Sequence, residues 1–184
     1  MTHIVLAILA LALAGMADAG QRVGVCHEYG CLVQEEVDYT DGQLAEIGRL
    51  LAAARGAAEE RALLAQAIGR LYAWAGEQTA IRHDKGGNRA DGNTPGRMDC
   101  IDHSTTTTRF LQLLEARGDL RWHRVKKPAV RRFALVFPAH YSAVIETTGE
   151  APERFAVDSW FVDNGQPAVI LPLRDWKKGA GPDV

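Results

Sequence analysis

Three residues in the second half of the chain are of the types that build a nucleophilic site. Cys100 stands where a loop rich in Gly, Asn and Asp becomes a helical pattern, in Met98-Asp99-Cys100-Ile101-Asp102-His103. A thiol at a helix N-terminus feels the positive end of the helix dipole, which favours thiolate, the nucleophilic form. Such a nucleophile needs a histidine to move its proton and a group to orient that histidine. Six histidines are available. His3 lies in an apolar leader, His27 and His123 lie away from any obvious site, and His83 precedes Cys100 in its loop. His103 is a near neighbour of Cys100 on the same helix surface. His140 opens a strand-like segment 40 residues after Cys100. Thiolate–imidazole pairs are usually built from separate elements that meet across a groove, which favours His140.

The orienting group follows from hairpin geometry. Thr148-Gly149-Glu150 reads as a three-residue hairpin loop, a length that suits glycine. It places residue 147 opposite 151 and His140 directly across from Asp158, on one face of the sheet. A carboxylate there would accept Nδ1–H and turn the other ring nitrogen toward sulfur. A slip of one residue would send the two to opposite faces, so the triad requires a register of the right parity. Asp163, in the turn signature Asp163-Asn164-Gly165, reads as structural. Trp160 and, in the loop of residues 82–98, Asn93 are candidate substrate-binding residues lining a groove. The Cys100 N–H would hold the oxyanion together with a second donor that the sequence leaves open.

These residues must be positioned by helices and a sheet. Asp99 is a candidate N-cap for a helix from Cys100 to Arg117 that ends at Gly118. From residue 120 the apolar period becomes two, and Leu120–Val125, Arg131–Phe137, His140–Thr147 and Arg154–Val162 read as antiparallel strands. A last short strand and a loop would complete the tail. Upstream, Thr40-Asp41 is an N-cap signal for a helix carrying Leu44, Ile47, Leu50 and Leu51. Gly56 interrupts, and a second helix runs from Ala57 to Gly76. Residues 20–40 read as an extended arm.

Chain ends, cysteines and charge bound the rest. Ile4 to Gly15 is apolar and too short to span a bilayer, and Ala17-Asp18-Ala19 is an A-x-A cleavage site. The expectation is a signal peptide over residues 1–19 and a single exported domain over 20–184, periplasmic or secreted, with a retained N-terminal anchor as the alternative. Within that domain, 20–81 form an N-terminal arm and helices, and 82–184 the catalytic core. Export implies an oxidising compartment, where Cys26 and Cys31 pair as a disulfide and Cys100 stays free. A zinc site on Cys26, His27 and Cys31 is the rival reading. Net charge is −2 in 184 residues, so bulk charge points to no nucleic-acid partner, and no membrane partner is expected after leader cleavage. A basic run at Arg121, His123, Arg124, Lys126, Lys127, Arg131 and Arg132 reads as the solvated face of strands, with an anionic partner site as the alternative.

Asp99-Cys100-Ile101-Asp102, His140-Tyr141-Ser142-Ala143-Val144-Ile145 and Ala156-Val157-Asp158, in that order and with separations of 40 and 18, resemble the bacterial transglutaminase-like cysteine proteinases of the periplasm. The resemblance covers roughly residues 95–165. It implies a papain-like α+β core, with the nucleophile helix packed on an antiparallel sheet and the N-terminal helical pair outside the matching region. It also implies roles: Cys100 as nucleophile, His140 as acid/base and Asp158 as orienter. The expected activity is that of an exported cysteine peptidase or amidase acting on a peptide or protein through a thioester. A transglutaminase with an amine acceptor is one alternative. A non-catalytic peptide- or cell-wall-binding domain is the other. Some of these proteinases bind calcium through acids around the cysteine. Asp99 and Asp102 match those positions, while Ile101 replaces the acid between them. No other cofactor is expected.

Overall fold

The computed structural model describes residues 20–87, 91, 94–132 and 139–183. The expected leader, Asn93 and the expected strand residues 133–137 lie outside the described residues. The described chain is mixed helix and sheet, as expected for α+β. It runs β1 (Gln21–His27), β2 (Val33–Tyr39), α1 (Asp41–Ala52), α2 (Ala57–Gln78), a 3-10 turn (Ala80–His83) and α3 (Cys100–Ala116). There follow β3 (His123–Arg131), β4 (His140–Thr147), β5 (Arg154–Asp158), β6 (Val169–Pro172) and α4 (Leu173–Lys177).

The expected extended arm is a hairpin. β1 and β2 pair antiparallel, Gln21 opposite Tyr39 through His27 opposite Val33, and the Cys26–Cys31 disulfide ties the first strand to the tip. Acids on β2 interrupt its apolar run, yet Val23, Val25, Val37 and Tyr39 reach the core. The joined sulfurs also overturn the zinc reading, which needs both as thiolates.

Thr40 closes a reciprocal capping box with Gln43 at the start of α1. Helix α2 continues past Gly76 to Gln78, so this glycine does not terminate it. A Cβ there would stand 2.8 Å from Asn164 Oδ1, and glycine is what lets the turn after β5 approach the helix. Leu44, Ile47, Leu51, Leu64, Ile68 and Leu71 make the two helices part of one core that reaches Phe110 and Leu111 of α3.

Helix α3 tolerates its Ser104–Thr108 run because the hydroxyls find partners. Ser104 Oγ donates to Ile101 O, Thr108 Oγ1 donates to Ser104 O, and Thr106 Oγ1 accepts from Cys26 N. The helix rests on the face of the sheet that carries Ala143, Ile145, Phe155 and Val157.

The sheet has order β3-β4-β5-β6, all antiparallel. β3 runs past Val125 to Arg131, the first residue of the next expected strand, and Pro128 sits in an irregularity between Lys126 and Ala129. A bulge spares proline the ladder bond it cannot donate. The β4–β5 hairpin is longer than expected. Thr147 N donates to Glu153 O and Glu146 faces Arg154, so the loop spans residues 148–152. This moves the register by two residues, an even step, and faces are preserved. His140 and Asp158 therefore share a face diagonally rather than directly opposite each other. β5 stops at Asp158 instead of reaching Val162. The tail adds β6 and the unexpected α4, whose Trp176 is fully buried. The basic run is not one solvated face. His123 and Arg131 are buried: His123 Nδ1 lies 2.7 Å from Glu60 Oε2, and Arg131 donates to Trp176 O and Ala180 O.

Candidate active site

Asp99 caps α3 as expected. Its Oδ1 accepts from Ile101 N and Asp102 N, both at 2.9 Å, and Asp102 Oδ2 returns a bond to Asp99 N at 3.0 Å. Cys100 is thus the first helical residue, half-buried and not disulfide-bonded. Its Sγ lies 3.7 Å from Ala139 O and also feels the backbone N–H of Tyr141. The sulfur is therefore held between the two residues that flank His140.

Burial pushes the Cys100 thiol above its ordinary value, and the charges of Asp99 and Asp158 push the same way. The N–H groups of Tyr141 and Cys100 itself pull it down without reversing the shift. This direction runs against the thiolate that the helix dipole favours. Desolvation is the largest of these influences. A nucleophilic Cys100 needs a base to take its proton.

His140 is the histidine that follows Ala139 and precedes Tyr141 beside the sulfur. Its Nε2 lies 2.7 Å from Asp158 Oδ2, and the Trp176 indole Nε1–H donates to the same oxygen at 2.7 Å. Trp160 N donates to Asp158 Oδ1 at 3.3 Å. A carboxylate only accepts, so the Nε2 atom carries the proton and Nδ1 is the basic nitrogen. This reverses the expected use of the two nitrogens. Asp158 is 2% exposed. Trp160, Phe161 and Trp176 pack around the imidazole with ring centroids at 4.8, 5.6 and 5.6 Å. Trp160 is buried against that ring instead of lining an open groove. Trp176 went unforeseen, lying in a tail without periodicity. The available signal was its indole N–H, which needs an acceptor once buried.

Asp99 and Asp102 serve a third partner besides the helix end and each other. The tip of the β1–β2 hairpin holds Glu28, Tyr29, Gly30 and Cys31 at φ of 66°, 61°, 68° and 61°. This left-handed run turns successive N–H groups one way. Tyr29 N and Cys31 N donate to Asp102 Oδ2 and Oδ1 at 2.9 and 2.5 Å, and Gly30 N donates to Asp99 Oδ2 at 3.0 Å. Three non-glycine residues in this region cost conformational energy, which the disulfide and these charge-assisted bonds offset. The carboxyls expected to cap the helix do so, and they also dock the disulfide hairpin onto the nucleophile helix. The oxygens considered for calcium thus already accept backbone N–H groups. Burial raises the Asp102 carboxyl to about 6.

A second histidine–carboxylate pair lies nearby. His103 Nε2 is 2.9 Å from Asp84 Oδ2 and Nδ1 is 2.9 Å from Ser159 Oγ. Ser159 Oγ also bonds Thr107 Oγ1 at 2.9 Å and Tyr72 OH at 3.3 Å, and Asp84 Oδ1 accepts from Met98 N. His103, Asp84 and Ser159 are all buried. Asp163 is structural, as its turn position suggested: it accepts from Lys85 Nζ and Gly86 N. The structure thus brings Cys100, His140 and Asp158 to one place and draws His103 into a separate network.

No family model matches the chain, no curated protein matches it, and no solved structure matches it.

Proposed function

We propose that this chain is an amide-cleaving cysteine hydrolase, a peptidase or amidase, with Cys100 as nucleophile, His140 as acid/base and Asp158 as the group that orients it. The carrying observation is the Cys100 sulfur resting against the residues on either side of His140, while the ring's Nε2 is engaged by Asp158 at 2.7 Å. The fold around it is read as a transglutaminase-like, papain-like core in an exported protein, a reading compatible with the Cys26–Cys31 disulfide.

The chemistry follows in order. His140 Nδ1 takes the thiol proton and the sulfur attacks an amide carbonyl. The negative oxygen is stabilised by the Cys100 N–H, which has no helical acceptor and is not one of the N–H groups that Asp99 caps. The imidazolium, held by Asp158, returns its proton to the leaving amine. Water then attacks the thioester, with His140 as base, to release the acid and the thiol. An amine in place of water would make the same site a transglutaminase.

The raised thiol favours one competing reading, a peptide- or cell-wall-binding domain without turnover. The rate of Cys100 alkylation by iodoacetamide against pH separates the two. A catalytic pair gives fast alkylation near neutral pH that falls about tenfold or more in His140→Ala. A rate that climbs only above the ordinary thiol range and ignores His140 would sink the catalytic reading.

A further inference from the structure

We propose that the sheet face beneath α4 carries a docking groove for an acidic, amphipathic peptide segment, separated from His140 by that helix. Two cavities of about 450 and 550 Å³ adjoin there, sharing Arg154, Leu173 and Lys177. Shared walls make them one trough. Its floor is apolar, with Pro128, Ala129 and Val144 from the sheet and Pro172 and Leu173 from the β6–α4 junction. Its rims are cationic, with Lys126 and Lys127 on β3, Arg174 and Lys177 on α4, and Arg154 between them.

The placement follows from the strand period. Ala143 and Ile145 point into the core with α3, so Val144 shares the opposite face with His140. At a rise of about 3.3 Å per residue, Val144 lies roughly 13 Å along β4 from the histidine. Helix α4 sits between, with Trp176 on Asp158 and His140 and with Leu173 and Lys177 on the trough.

Charge selects the occupant. The chain as a whole is at −2, so five cations on one trough are a local concentration. The carboxylate of Glu146 takes up Lys126 at 3.0 Å and Arg154 at 2.6 Å, and Asp175 lies 3.6 Å from Arg174. Glu153 is the acid on the lining itself. Lys127 and Lys177 are exposed and have no carboxylate partner among the described residues. Phosphate recognition uses converging donors or a free guanidinium fork, and both guanidinium groups here already face carboxylates. The uncommitted cations are instead single ammonium groups on opposite rims with an apolar floor between. An extended peptide alternates its side chains, so apolar residues meet the floor while carboxylates reach the rims. This groove does not depend on Cys100 cleaving anything.

The test uses Cys100→Ala protein and a fluorescently labelled ten-residue peptide alternating Glu and Leu, read by anisotropy. The expected result is saturable binding that weakens at about 1 M salt, where screening acts within ~3 Å, and at least tenfold loss of affinity in K127E/K177E. K127Q/K177Q gives a smaller loss and serves as readout should charge reversal disturb folding. Absence of saturable binding, affinity undiminished in both double variants, or equal affinity for a Lys–Leu peptide overturns the proposal. Displacement of the peptide by inorganic pyrophosphate at equimolar concentration also overturns it, in favour of a phosphate site.

Discussion

The two histidine–carboxylate pairs near the start of α3 make the same bond in different surroundings. His140–Asp158 and His103–Asp84 have Nε2–Oδ2 distances of 2.7 and 2.9 Å. Each lies near a side chain of nucleophilic type, Cys100 in one case and Ser159 in the other. The difference lies in unused valence. His103 has both nitrogens bonded, and Ser159 divides its hydroxyl among His103, Thr107 and Tyr72. Nothing remains to attack a substrate or accept its proton. His140 has one nitrogen bonded to Asp158, and the Cys100 thiol is half-buried at a helix end. A serine, a histidine and an acid in hydrogen-bond sequence are therefore no sufficient sign of catalysis. Saturation and sealing make the His103 network a clamp. It joins α3 to the loop before Cys100 through Asp84, and to the residue after Asp158 through Ser159.

Breaking each pair should give opposite signatures. The largest expected effect is on turnover: Cys100→Ala or Asp158→Asn lowers amide hydrolysis by roughly 10,000-fold, Cys100→Ala with little change in the unfolding midpoint. Activity that survives Cys100→Ala would remove the catalytic half of the comparison. His103→Ala should instead cost about 3 kcal/mol of stability, because Asp84 is left buried without its ring partner. The check is urea unfolding, with Cys100 alkylation per folded molecule staying within a few-fold of the parent. Loss of thiol reactivity without loss of stability would invert the assignment. Ser159→Ala removes one member of a shared hydroxyl network and should cost about 1 kcal/mol in the same assay.

The smallest effects sharpen the comparison through pH. Burial pushes the Glu60 carboxyl up, but His123 and the N–H groups of Arg121 and Trp122 outweigh it and leave the group below its ordinary value. Its stabilisation is complete above the unfolded value of 4.5 and is lost as pH falls through the folded one. Asp102 runs the other way: raised from 3.8 to about 6, it binds its proton more tightly in the folded state. Stability from this group therefore rises as pH falls through 6 toward 3.8. Thermal melts against pH should show a gain between pH 7 and 5 that Asp102→Asn removes, and an acid-side loss that Glu60→Gln flattens. A parent curve flat from pH 7 to 5 contradicts the Asp102 assignment.

Much was legible in the residues alone. Thr40 and Asp99 announced their caps, because short acceptor side chains before apolar periods satisfy free N–H groups locally. The α3 span, the β4 start at His140 and the Cys26–Cys31 pairing depended on spacing of a few residues. The shared face of His140 and Asp158 was also readable, since strand parity survives a register error of two. Tertiary structure decided what depends on distant partners. It chose which nitrogen of His140 faces Asp158, and it brought Trp176 from the tail onto the same carboxylate. It set desolvation against the helix dipole at the Cys100 thiol, because burial is a property of everything packed around the sulfur. It also turned Asp99 and Asp102 into anchors for a hairpin tip some 70 residues upstream. Local hydrogen bonds are determined by neighbours in sequence. Solvent access and long-range partners arise only when the whole chain has closed around the site.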